Sequence, residues 1–151
     1  MKLAEALSIR KELNRKIEQL QARLLANIKL QEGDEPTEPV EDLMKSLDNS
    51  LKTLEELIAR INKTNMHTLH NGRTLTEMMA EKEVLTLRVS ILRDVFNKAN
   101  EGHDRYSRSE IKLITTIDVR NLSKQIDKLA EKLRKLDIEI QGLNFLVELE
   151  D

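Results

Sequence analysis

Apolar residues recur along this chain at steps of three and four, the spacing that lines one face of an α-helix. The first run is Leu3, Leu7, Leu13, Ile17, Leu20, Leu24 and Ile28. It stops near Leu30, where Gly33, Pro36 and Pro39 in QEGDEPTEP oppose further helix. Thr37 is the expected N-cap of the next helix, with Pro39 inside its first turn. That helix carries Val40, Leu43, Leu47, Leu51, Leu54, Ile58 and Ile61, and the period fades in INKTNMHTLHNG. Asn71-Gly72 marks a turn, and the following RTLTE has the form of a capping box with Thr74 and Glu77 as the reciprocal pair.

A third run reads Leu75, Met78, Lys82, Leu85, Val89, Leu92, Phe96 and Ala99, and a second stripe of Val84, Leu87, Ile91 and Val95 lies beside it. Two apolar stripes on one helix predict neighbours on two sides. The fourth helix starts after Asp118 as N-cap and carries Val119, Leu122, Ile126, Leu129, Leu133, Leu136, Ile140, Leu143 and Val147. Its steps alternate three and four, a coiled-coil seam. From Val119 to Val147 such a helix spans about 43 Å, whereas a compact globule of this chain length is only about 40 Å across. The pattern therefore predicts an all-α fold, an elongated antiparallel four-helix bundle in a single domain over 1–151. Its helices are expected at about 2–30, 39–63, 75–100 and 119–147.

One stretch departs from this pattern. Around 109–116 the apolar residues Ile111 and Leu113 alternate with polar ones, and Ile114, Thr115 and Thr116 add β-branched weight. That pattern predicts a short extended segment of β character between helices 3 and 4. A strand needs a ladder partner, here either the aperiodic stretch near Asn65 to Leu69 or the same segment of another subunit. Ile111, Leu113 and Ile114 are thus candidate assembly residues.

Composition narrows the functional classes. Charged residues make up 34% of the chain, aromatics 2%, and there are four glycines and two prolines, the balance of long helices. A net charge of −2 gives no global attraction to nucleic acid or to an anionic bilayer. Without cysteine there is neither a disulfide nor a thiolate nucleophile. Lys2, Glu5, Arg10 and Lys11 interrupt any signal-like apolar core, and no run is long enough to span a membrane, so the expected location is cytoplasmic. No nucleophile elbow or phosphate-cradling glycine loop is present, and His67 and His70, with Glu101, His103 or Asp104, form a poor zinc set. No enzyme activity, cofactor or metal is expected.

Two basic clusters are candidates for an anionic ligand. Arg60 to Arg73 contains no acidic residue and leads into the N-terminus of helix 3, so Arg73 and Thr74 are the candidate contacts there. Arg105, Arg108 and Lys112 form the second cluster, with Tyr106 placed to stack on a base. The competing expectation is that these cations pair with carboxylates, including those of the acidic link, in a homo-oligomer.

NGRTLTE, SRSEIK, TID, IDKLAEKLRKLDIEIQ and the terminal LNF, with MKLAEAL and QEGDEP, resemble a family of small bacterial proteins often labelled septicolysin. The resemblance covers nearly the whole chain, with Phe145 where that family is expected to prefer tryptophan. It implies a helical, oligomeric protein and supplies no catalytic residues. The label implies membrane lysis, for which the sequence offers neither an inserting hairpin nor a basic amphipathic helix. The expected function is therefore that of a non-enzymatic oligomeric structural or interaction protein. A phosphate or nucleic-acid binder is the alternative, and a lytic protein the second.

Overall fold

The computed structural model describes residues 1–102 and 111–151. The fold is all-α: α1 (Leu3–Asn27), α2 (Val40–His67), α3 (Leu75–Ala99) and α4 (Val119–Leu146) hold 74% of the described residues. The only sheet among the described residues pairs β1 (Leu69–His70) with β2 (Arg73–Thr74). The chain divides into two compact units, one of Met1–Thr76 with Gln141–Asp151 and the other of Glu77–Ile140.

In the first unit α1 and α2 form a hairpin closed at the link by Leu20, Leu24 and Leu43, with Val40 and Leu47 packed against them. Asn27 organises the link. Its amide donates to the Arg23 carbonyl at 2.8 Å, and its Oδ1 accepts from both the Thr37 amide (3.1 Å) and hydroxyl (3.0 Å). Thr37 is committed to Asn27, so it is not the N-cap expected of it. Pro39 takes that position and α2 begins at Val40. Arg23 also chelates Glu38, holding that carboxyl below the usual carboxylate range through their side-chain hydrogen bonds.

α2 runs four residues beyond the expected end at 63. Its last turns bury Thr64 and Asn65 where an apolar residue would have continued the stripe from Ile61. The face stays buried although its chemistry changes, which is why the hydrophobic period loses the helix early. Thr68 then closes α2 with its amide on the Thr64 carbonyl (2.9 Å). Asn71 (φ 51°) and Gly72 (φ 77°) turn the chain between β1 and β2, with His70 opposite Arg73 and Leu69 opposite Thr74. Positive φ at both central residues is what a two-residue hairpin requires, and Asn-Gly supplies it with little strain.

In the second unit α3 and α4 are joined by ion pairs from Lys82 to Asp137 (2.5 Å) and from Lys132 to Glu81 (3.3 Å). Leu85 and Val89 on α3 and Leu122, Ile126 and Leu136 on α4 are buried, whereas Leu92, Phe96, Leu129 and Leu133 stay half-buried. Asp118 caps α4 as expected, accepting from the Asn121 amide at 3.1 Å. The β segment expected near 109–116 is not found where the chain is described: residues 111–117 contain no strand. Ser109 and Glu110 lie outside the described residues. The strand pair sits at 69–74 instead, because a two-residue turn brings a partner for each donor and acceptor within six residues.

Candidate functional site

The acid-free face of α2 is the most polar construction in the first unit. Arg60, Lys63, Thr64 and His67 fall at spacings of three, four and seven, so they share one side of the helix. The C-terminal residues lie across it. Arg60 Nε donates to the Glu150 carbonyl at 2.9 Å, and its Nη2 to the Asp151 carboxylate at 2.9 Å. Lys63 Nζ donates to the Asp151 carbonyl at 2.7 Å, and His67 Nδ1 lies 2.8 Å from Glu150 Oε2. The Glu150 amide donates to the Thr64 hydroxyl at 3.0 Å, which itself donates to the Arg60 carbonyl.

A second contact joins the two chain ends. Lys2 and Glu148 form an antiparallel bridge, with the Leu3 amide on the Val147 carbonyl and the Leu149 amide on the Met1 carbonyl, both at 2.9 Å. Lys2 Nζ reaches Glu148 Oε1 at 2.6 Å and the Met1 ammonium reaches Oε2 at 3.0 Å. The Lys2 hydrogen bond, followed by that of the ammonium, lowers the Glu148 pKa from its ordinary value. Leu149 is thereby buried between polar neighbours. Sequence reasoning marked the α2 cations as anion-binding candidates but did not find this partner. The signal was present in ELED at the end of an otherwise charge-balanced chain, separated from Arg60 by some 90 positions.

The remaining candidates are dispersed. Arg73 is exposed on β2, and half-buried Thr74 immediately precedes α3. Lys112 is exposed in the segment leading to α4. Arg105, Tyr106 and Arg108 of the second cluster lie outside the described residues. His67 and His70 each have neighbours of their own, Glu150 and Asn71. Among the described residues no group of three or more His, Asp or Glu is arranged to hold a metal ion. Nor is any helix among them long and apolar enough to cross a membrane.

The apolar candidates are open to solvent. Ile111, Leu113 and Ile114 are between 74% and 82% exposed, and Leu113 and Ile114 line a groove of about 870 Å³ with Val95, Lys98 and Ala99. Thr115 fixes this segment to the end of α3 through its hydroxyl, which donates to the Ala99 carbonyl at 3.2 Å. The second stripe of α3 is likewise uncovered: Val84 is 65% exposed, Leu87 60%, Ile91 52% and Val95 40%.

Similar proteins give the chain a family without a role. A crystal structure described as that of a functionally unknown conserved protein from Corynebacterium diphtheriae is 37% identical, covers 99% of each chain and superposes with a TM-score of 0.93. No curated protein matches. Neither that description nor the family's carries the septicolysin name, and nothing in them supports a lytic activity. The family model matches residues 10–149, and the chain belongs to the Family of unknown function (DUF6847).

Proposed function

We propose that this is a non-enzymatic helical protein whose working form is a homo-oligomer, assembled through the α3–α4 unit. The observation that carries the reading is the exposed stripe Val84, Leu87, Ile91 and Val95 on a helix whose other stripe is already buried at Leu85 and Val89. Solitary exposed apolar residues are ordinary, but four at helical spacing form a continuous strip of the kind that marks an interaction surface. Complete burial of one such side chain is worth about 1.5–3 kcal/mol relative to full exposure, so even partial cover of four is a substantial driving force. The half-buried seam residues Leu92, Phe96, Leu129 and Leu133 point the same way. The engagement of Arg60, Lys63 and His67 with the chain's own carboxylates weakens the alternative of a phosphate or nucleic-acid binder.

The test is the particle mass. Sedimentation equilibrium at micromolar concentration should give a multiple of 17.5 kDa. Ile91→Glu should reduce it without loss of helical circular dichroism. A parent protein that sediments at 17.5 kDa would overturn the reading.

A further inference from the structure

We infer that the α3 stripe is covered by the same stripe of a second copy, with the two helices parallel and in register; this rests on the homo-oligomeric reading above. Ala80, Val84, Leu87 and Ile91 alternate in steps of four, three and four, which assigns Val84 and Ile91 to heptad position a and Ala80 and Leu87 to position d. β-Branched residues at a with leucine at d favour two parallel strands. Asp94 and Lys98 follow at d and a, so the apolar seam is confined to about two heptads.

Charge decides the orientation. Glu83 occupies the g position before Val84 and Arg88 the e position after Leu87. Both are exposed, and neither has an ion-pair partner among the described residues. In a parallel pair, g faces the e position five residues further along the partner. Glu83 then meets the partner's Arg88, twice per dimer by symmetry. In the antiparallel arrangement that keeps all four apolar residues in layers, Val84 against the partner's Leu87 and Ala80 against the partner's Ile91, e faces e across the dyad. Arg88 then comes beside the partner's Glu81, a carboxylate that Lys132 already holds at 3.3 Å, and Glu83 gains only the partner's Ser90 as a neighbour. The same four apolar residues fit either way, but only the parallel pair joins two exposed charges that have no ion-pair partner among the described residues of their own chain.

The chain contains no cysteine, so single cysteines report the orientation cleanly. In the parallel pair Leu87 faces its own copy with Cα atoms about 6 Å apart, within disulfide reach. Oxidised Leu87→Cys should therefore run mostly as a covalent dimer. An equimolar mixture of Leu87→Cys and Val84→Cys, which the antiparallel pairing would bring face to face, should give no heterodimer beyond the two homodimers. Glu83→Arg or Arg88→Glu alone should weaken the dimer about three- to tenfold, and the double exchange should restore it to within about twofold. An oligomeric parent in which Leu87→Cys fails to cross-link, whether or not the mixture links, overturns the parallel pairing and leaves the oligomeric reading standing. A monomeric parent overturns both.

Discussion

Thr64 shows how much a single polar residue can decide in a chain of apolar stripes. Only 1% of it is exposed, and its hydroxyl mediates between the Arg60 carbonyl and the Glu150 amide. Thr64→Val keeps the shape but leaves that amide without its acceptor. A buried unmet donor costs about 1–3 kcal/mol, measurable as a lower midpoint in urea denaturation. Asp151→Asn, at a fully exposed side chain, should leave the midpoint unchanged. Glu148 gives this clasp a dependence on pH. Its pKa is lowered in the folded chain by Lys2 and then by the ammonium, so the folded state binds its proton less readily than the unfolded state does. The resulting stability is present above the unfolded carboxylate pKa and is lost as pH falls through the lowered folded value. Glu148→Gln should accordingly be less stable than the parent at neutral pH and converge with it in acid. A difference that persists unchanged into acid would show that the ion pair is not its source.

Among the elements, burial separates positions that look alike in sequence. Leu20 and Leu133 both sit in clean heptad stripes, yet Leu20 is 2% exposed in the α1–α2 hairpin and Leu133 is half-buried on α4. Leu20→Ala should cost about 2–5 kcal/mol, whereas Leu133→Ala should cost less in the isolated chain, since part of its surface already meets water. Equal losses in denaturation at low protein concentration would contradict this ranking. The four helices, the Asp118 cap and the Asn71-Gly72 turn were legible because each follows from local spacing or backbone preference. The last turn of α2 was not, because its buried positions are polar, Thr64 and Asn65, and Thr64 is met by the Glu150 amide from the far end of the chain. The α2 cations were legible as a cluster but not by partner, since pairing over some 90 positions leaves no periodic trace. The strand expected around 109–116 had the right residues, yet its described part, 111–116, forms no strand. As a proposed assembly element it predicts that Leu113→Pro yields a smaller oligomer with nearly unchanged helical circular dichroism. Unchanged particle mass would make the segment a connector only.

For the whole molecule, the two units differ in how completely each is closed within one chain. The first has a buried leucine cluster, an α1–α2 link held by Asn27, and both chain ends fastened to each other and to α2. The second leaves Leu92, Phe96, Leu129 and Leu133 half-buried beside its buried residues and has an uncovered stripe. If assembly covers that stripe, mass action adds stability that rises with protein concentration, and it acts on the unit that makes the contact. Amide exchange resolves the units, because local opening reports local stability. Protection of α3, measured at Leu85 to Leu92, should rise as the protein is taken from well below to well above its dissociation constant. Protection of α1 and α2 at Leu20 and Leu43 should stay level over the same range. Equal gains in both units would mean that they open together, and no gain in α3 would place the interface elsewhere. A selective gain in α3 identifies the α3–α4 unit as the part of the chain that assembly completes.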